Sequence, residues 1–288
     1  MTSFAFIAPD SLPEACRLLA AAGSRPIAGG TDVIPQMRDG RFQATTLVDL
    51  SRLHALDTIA RANNQIVIGS LATYTAMLNS PLLQEQAPFL TQVCGVVGGV
   101  QTQNRGTLGG NIANASPAGD SLPVLLALDA VVELVSAAGE RSLPLTGFLL
   151  GPGRTALLPG EIIRQVRFSP LPAEARSLFL RLGNRRGMLI SVVSAALVLA
   201  VDDDGRVRDC RIALGAVAPT AIRCREAEAR LIGRRIDAAL IEDSATAAAA
   251  ACRPIDDVRA SAAYRRHGAR VLVRRGLRQM AGLDEATR

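Results

Sequence analysis

The residues of this chain best suited to chemistry lie in two short glycine-rich turns, Ala28-Gly29-Gly30-Thr31-Asp32 and Thr107-Leu108-Gly109-Gly110-Asn111. A glycine pair puts no Cβ in the way and permits positive φ, so backbone N–H groups can come close to an anion. Two such pairs can clasp one diphosphate. Thr31 and Asp32 add a hydroxyl and a carboxylate suited to phosphate and to ribityl or ribose hydroxyls. Thr107 and Asn111 repeat that offer, and Asp120 follows nine residues later. Taken singly, each Gly-Gly pair also reads as a plain tight turn; their pairing is what suggests a binding site.

Other chemistries are poorly supplied. No GxxxxGK[ST] occurs, and no GxGxxG opens a helix after the first strand, so neither a P-loop nor a Rossmann dinucleotide site is indicated. Gly151-Pro152-Gly153-Arg154 is the nearest match, and its proline makes it a turn. Ser116, Ser121 and Ser191 lack a GxSxG setting, and a Ser-His-Asp triad would have to use His54 or His267, the two histidines of the chain. Cys16, Cys94, Cys210, Cys224 and Cys252 are scattered with no CxxC pair, which argues against a protein-ligated metal, an iron–sulfur site or a disulfide framework. The run Asp202-Asp203-Asp204 has the wrong spacing for an EF-hand and reads as a solvated hairpin turn. Any redox chemistry here falls to an organic cofactor.

The elements that must position these turns can be read from periodicity. Leu12, Ala15, Leu18, Leu19 and Ala22 share one helical face, with Asp10 or Ser11 as N-cap and Gly23 as the stop. A short strand, Arg25 to Ala28, enters the first glycine turn and leaves it into a helix-like segment, Val33 to Met37. Leu47–Leu50 is another strand of a small α/β unit ending near residue 55, and Gln65–Gly69 a further one. Thr75 to Cys94 reads as two helices separated by Pro81 and Pro88; Leu122–Leu128 is a buried helix. Val131–Val135 and Glu161–Ser169 are strands, the first leading into a hairpin, and Ser169–Pro172 reads as a linker. Beyond it, Leu178–Arg181, Val192–Val201 and Val207–Val217 form an antiparallel meander, followed by helices near 223–232, 237–252 and 257–281.

At 288 residues the chain can bury two or three compact units. The net charge of +6 is modest, and much of it sits near the C-terminus: Arg253, Arg259, Arg265, Arg266, Arg270, Arg274, Arg275 and Arg278. That stretch suits a docking surface or a solvated helix face, and it lacks the aromatic interleaving of a nucleic-acid site. Neither a signal peptide nor an apolar run long enough to span a membrane is evident, so a cytoplasmic protein is expected.

Three segments together carry a resemblance: Pro26 to Pro35 around the first turn, Asn104 to Asp120 around the second, and Ile212-Ala213-Leu214-Gly215-Ala216-Val217-Ala218-Pro219-Thr220. With Asp256 to Arg265 near the end, they resemble the FAD-binding medium subunit of molybdenum hydroxylases, the family of xanthine dehydrogenase and carbon monoxide dehydrogenase flavoproteins. The resemblance implies an α+β fold. A two-lobed, vanillyl-alcohol-oxidase-like FAD domain would span 1–170, with lobes of about 1–55 and 56–170. A flavoprotein C-terminal domain with a three-stranded antiparallel sheet and a helical bundle would span 171–288. By position it assigns Ile27, Ala28, Gly29, Gly30, Thr31, Asp32, Val33 and Ile34, with Thr107, Leu108, Gly109, Gly110 and Asn111, to the FAD diphosphate and neighbouring hydroxyls, joined by Asp120. Ile163 would lie near flavin or adenine. Arg181 stands where relatives often carry lysine, with a different shape and reach.

The resemblance further implies an oxidoreductase subunit with no catalytic acid, base or metal ligand of its own. Molybdopterin and 2Fe-2S clusters would sit on a large and a small partner chain, in a dimer of heterotrimers. FAD would take electrons from the iron–sulfur chain and pass them to an external acceptor. A flavin-free scaffold of the same fold and a stand-alone flavin oxidase are the alternatives.

Overall fold

The structure, a computed structural model, describes residues 3–185 and 189–283. The chain opens with a three-stranded parallel sheet in the order β1 (Ala5–Ile7), β3 (Thr46–Asp49), β2 (Ser24–Ile27). Helix α1 (Leu12–Leu19) joins β1 to β2; its N-cap Ser11 accepts from Glu14 N, and Pro13 fits the first turn, where no N–H is required. Helix α2 (Val33–Arg38) joins β2 to β3. The glycine turn 28–32 is therefore the β2–α2 connection at the carboxyl end of a parallel strand, where α/β sheets place ligands.

The second layer is an antiparallel sheet of five strands: β4 (Ile59–Ala62), β5 (Gln65–Gly69), β6 (Val131–Ser136), β7 (Gly139–Pro144) and β10 (Ile162–Phe168), in the order β4-β5-β10-β6-β7. Gln65–Gly69 thus pairs in this sheet and not with the N-terminal strands. Between β5 and β6 run helices α3 (Tyr74–Leu78), α4 (Pro81–Gln86), α5 (Pro88–Cys94), α6 (Val100–Arg105), α7 (Leu108–Asn114) and α8 (Ser121–Ala127). Residues 75–94 hold three helices where two were expected. Pro81 and Pro88 do not merely separate helices; each occupies the first position of a new one, where its fixed φ suits helix entry. After β7 come α9 (Leu145–Phe148) and the hairpin β8 (Leu149–Gly151) and β9 (Arg154–Thr155), so Gly151-Pro152-Gly153 is a turn, as its proline implies.

The third layer is the sheet β11 (Arg176–Leu182), β12 (Val193–Val201), β13 (Val207–Gly215), β14 (Ile222–Arg223), backed by helices α10 (Arg225–Leu231), α11 (Ala238–Ala251) and α12 (Ala262–Ala281). The expected three-stranded meander gains β14, a two-residue edge strand paired to Ala213 and Leu214. The unbroken apolar run of β12 has a simple cause. Val193, Ala195, Leu197 and Leu199 join the core beneath α10–α12, while Ala196 and Val198 join the core around α5 and α8. Alternation is present, but both faces are covered, so no polar residue marks the period. Helix α8 is buried along its whole length within the core around α5, which explains why it reads as apolar on several faces.

The arginine-rich C-terminal helix is not a bare cationic face. Arg265 is buried, and Arg270 and Arg274 pair with Glu242 of α11. Among the described residues no helix is long and apolar enough to cross a membrane.

Candidate functional site

The two glycine turns, 80 residues apart in sequence, touch. An ideal Cβ on Gly29 would stand 1.7 Å from the Arg105 carbonyl oxygen and 3.1 Å from Gly106 N, so only hydrogen fits there. Gly30 then takes φ +73°, the left-handed region that glycine enters without strain, and swings the chain toward α2. Beneath the second turn, a Cβ on Gly109 would meet the Ser70 Cβ at 2.5 Å, which locks α7 to the end of β5. Each turn is glycine because a neighbouring backbone already fills the place of a side chain.

Along this seam lies a cleft of about 800 Å³, at the large end of the range for ligand sites. Ile27, Ala28, Gly29, Gly30, Thr31, Asp32 and Val33 line it from one side, and Thr107, Gly109, Gly110 and Asn111 from the other. Ile163 of β10 lines it too. Four of the expected residues do not: Ile34 packs against the small Ile27–Met37–Leu47 cluster, Leu108 is wholly buried in the main core, and Asp120 and Arg181 pair with each other outside the lining.

The turns contribute unequally. Among the described residues, the backbone N–H groups of Gly29, Gly30, Thr31 and Asp32 find no acceptor in the protein. In the second turn the donors are spent: Leu108 N on Ala72 O, Gly109 N on Ser70 O, Gly110 N on the Thr107 Oγ1 cap, and Asn111 N on Thr107 O. The first turn therefore supplies a row of free donors for an anion, and the second supplies a wall that comes close without side chains. Asp32 caps no helix N–H with its side chain, and burial pushes its carboxyl above the usual range.

Residues outside the predicted set complete the site. Gln36 Nε2 donates to Asn114 Oδ1 at 3.0 Å, tying α2 to α7 across the cleft. Each lies one helical turn beyond a predicted polar residue, Asp32 and Asn111, a spacing that sequence reasoning could have followed. Ser70 and Tyr74 line the cleft beneath the second turn. The far end is closed by residues 19–26 and by 157–161, where Glu161 accepts from Arg141 Nε at 2.6 Å, Arg141 Nη2 at 2.7 Å and Leu158 N at 2.7 Å. The Arg141 guanidinium holds the Glu161 carboxyl below its usual range. The stability this pair gives is present above the ordinary glutamate pKa and lost only as pH falls through the lowered one. Glu161→Gln is expected to weaken ligand binding in the cleft about fivefold, for about 1 kcal/mol lost, because Arg141 is 40% exposed and water screens the pair. Fluorescence titration with FAD checks it.

Deeper in, Asp120 Oδ1 accepts from Ser191 Oγ at 2.7 Å and Oδ2 from Arg181 Nη1 at 3.2 Å, while the same Nη1 donates to Val96 O at 2.9 Å. This cluster joins the start of α8 to β11 of the C-terminal sheet. Burial raises the Asp120 pKa more strongly than Ser191 and Arg181 lower it.

A cleft with free backbone donors in one wall and a bare glycine wall opposite suits a diphosphate-bearing cofactor. Comparison with known proteins makes it specific. The family described as FAD binding domain in molybdopterin dehydrogenase matches residues 2–172, and that described as CO dehydrogenase flavoprotein C-terminal domain matches 179–280. The chain belongs to this flavoprotein family and is an FAD-binding oxidoreductase subunit.

It is 34% identical over 277 residues to the 6-hydroxypseudooxynicotine dehydrogenase complex subunit alpha of Paenarthrobacter nicotinovorans, spanning 96% of this chain and 93% of that one. It is 31% identical over 277 residues to the carbon monoxide dehydrogenase medium chain of Hydrogenophaga pseudoflava, spanning 95% and 96%. The solved carbon monoxide dehydrogenase of that organism superposes with TM-score 0.94 at 31% identity, covering 99% of both chains. Quinoline 2-oxidoreductase from Pseudomonas putida 86 gives 0.92 at 30% identity, covering 98% of both.

Proposed function

We propose that this chain is the electron relay of a molybdenum hydroxylase: FAD in the cleft takes electrons from iron–sulfur clusters on a small partner chain and passes them to an external acceptor. Substrate oxidation takes place at molybdopterin on a large partner chain, in a dimer of heterotrimers. The observation that carries this reading is the row of free N–H donors at Gly29–Asp32, facing a glycine wall across the cleft. Bound FAD supplies the exchange of two electrons, which the side chains here do not. The residues bind and orient. Gly29 to Asp32 would hold the diphosphate, Asp32 and Asn111 its neighbouring hydroxyls, and Ile163 would cover a ring. Asp120 and Arg181 would act from behind the lining, on the side of the C-terminal sheet.

On this reading residues 1–170 are the FAD-binding domain and 171–288 the flavoprotein C-terminal domain. The five cysteines, all buried and unpaired, suit a reducing, cytoplasmic setting.

The purified chain is expected to be yellow, with the two visible bands of oxidised flavin, and to release FAD on denaturation in a ratio near one per chain. Refolded protein that takes up no FAD from excess would leave a flavin-free scaffold as the surviving reading. Substrate turnover by the isolated chain with dioxygen would instead establish a stand-alone oxidase.

A further inference from the structure

We propose that the loop between α11 and α12 is a preformed docking knob whose occupant is a partner chain of the same complex, bearing an apolar socket rimmed by carboxylates. The proposal rests on the reading of this chain as a subunit. Val258 is 104% exposed and Ile255 70%, above every other large hydrophobic residue described. Single exposed apolar residues need no explanation. These two sit in a loop held unusually firmly. Asp257 Oδ1 accepts from Arg259 N at 2.9 Å, Ala260 N at 3.2 Å and Arg265 Nη2 at 2.7 Å, while Oδ2 accepts from Arg259 Nε at 2.9 Å. Asp257 N reaches Ala260 O, and Asp256 Oδ1 takes Ala262 N at 2.6 Å.

The anchor is Arg265, 2% exposed, whose Nη1 donates to Val192 O at 2.7 Å and Ala216 O at 3.0 Å. Taking a guanidinium out of water is costly unless it is fully bonded. Here that cost secures a loop whose tip displays valine and isoleucine to solvent. A rigid apolar tip loses little conformational freedom on binding, which is the advantage of preorganisation in an interface. The segments that converge on Arg265 bring two more exposed residues nearby in sequence: Ile190, 61% exposed and two residues before Val192, and Tyr264, 50% exposed and next to Arg265 itself.

Charge selects the occupant. With Arg265 buried, the surface of residues 253–266 carries Arg253, Arg259 and Arg266 against Asp256 and Asp257, and both aspartates are turned to bonds within the loop. Arg266 is exposed and has no ion pair among the described residues, and Arg253 spends its guanidinium on the carbonyls of Ala250 and Cys252. The rim is therefore cationic. A second copy of the chain would meet its own positive rim, whereas a partner with carboxylates around an apolar socket complements it. Ile190 adjoins Ser191, which bonds Asp120 at the start of α8.

The test is co-expression of the full-length chain with the large and small chains of its complex, comparing wild type with Val258→Asp, Ile255→Asp and Arg266→Glu by size exclusion and by titration of purified FAD-loaded chain onto the partner chains. Because these side chains are exposed, melting temperature and FAD content should stay at wild-type values. Association of the double variant Val258→Asp/Ile255→Asp should weaken at least 100-fold, and Arg266→Glu should weaken it about tenfold at low salt and less at high salt. Assembly of the double variant within threefold of wild type overturns the knob while leaving the subunit reading intact. A wild-type chain that assembles with neither partner overturns the subunit reading and the knob with it. Self-association of the chain that the double variant abolishes shows that the occupant is a second copy, and the proposal is wrong.

Discussion

Gly29→Ala is expected to leave a folded but colourless protein. The added Cβ would stand 1.7 Å from the Arg105 carbonyl oxygen and 2.4 Å from its carbon, both backbone atoms that cannot rotate away. Relief requires the β2–α2 turn to separate from the α6–α7 connection, the one place where the free N–H donors face the glycine wall. Overpacking of this kind costs about 1–3 kcal/mol. Because the displaced atoms are the ones proposed to bind the diphosphate, about the same amount should appear as lost affinity, on the order of 100-fold in FAD dissociation constant. Gly30→Ala is the informative companion. Its Cβ would approach only Ile34, at 3.4 Å, so the penalty is that of φ +73° for a residue with a side chain, roughly 1–2 kcal/mol. FAD titration with thermal melts of both variants checks the order: Gly29→Ala bound as tightly as wild type would show that the turns need not touch.

Asp120→Ala should be the most destabilising single change near the site, about 3 kcal/mol by denaturant unfolding. It strands Arg181, whose side chain is only 14% exposed, and strips Ser191 of its acceptor. Asp120→Asn keeps an oxygen for Ser191 and should cost less. Its pH dependence carries the sharper test. Desolvation raises the folded-state pKa of Asp120 above its unfolded value, with the Ser191 bond and the Arg181 charge opposing. Its contribution to stability is then full below the ordinary carboxylate pKa and is lost as pH rises through the raised one. The stability difference between wild type and Asp120→Asn should accordingly shrink from pH 4 to pH 7. A difference that grows over that range would mean that Arg181, not burial, governs the carboxyl.

Much of the fold was legible because local rules and the tertiary structure agree. The helix at 12–19 shows its face and its N-cap Ser11, although it ends at Ala20 and not at Gly23, and β12 shows its burial. The failures have equally local causes. Pro81 and Pro88 read as separators because proline marks a boundary without saying whether a helix ends or begins there. β14 went unseen because two residues carry no period, and they pair only because β13 is already in place. Gln65–Gly69 was a strand whichever sheet it joined; its partner β10 lies about 100 residues further on, beyond the reach of any window.

For the site, the residue types were in the sequence and their division of labour was not. The two Gly-Gly pairs, Thr31, Asp32, Asn111 and Ile163 were named from their chemistry and from resemblance, and the structure brings them to one cleft. Sequence alone made the glycine pairs look equivalent, since each offers the same N–H groups. Whether a donor is free depends on which acceptors the chain folds against it, and Ser70, Ala72 and Thr107 claim those of the second turn while no described residue claims those of the first. Asp120 and Arg181 show the same limit: both could reach a cofactor as isolated residues, yet the chain folds so that these residues, 61 positions apart, are each other's partner. Composition and motif settled what this protein can hold, because glycine's missing side chain is a property of the residue. Which groups do the holding was decided by tertiary structure, because a hydrogen bond already made within the fold is no longer available to a ligand.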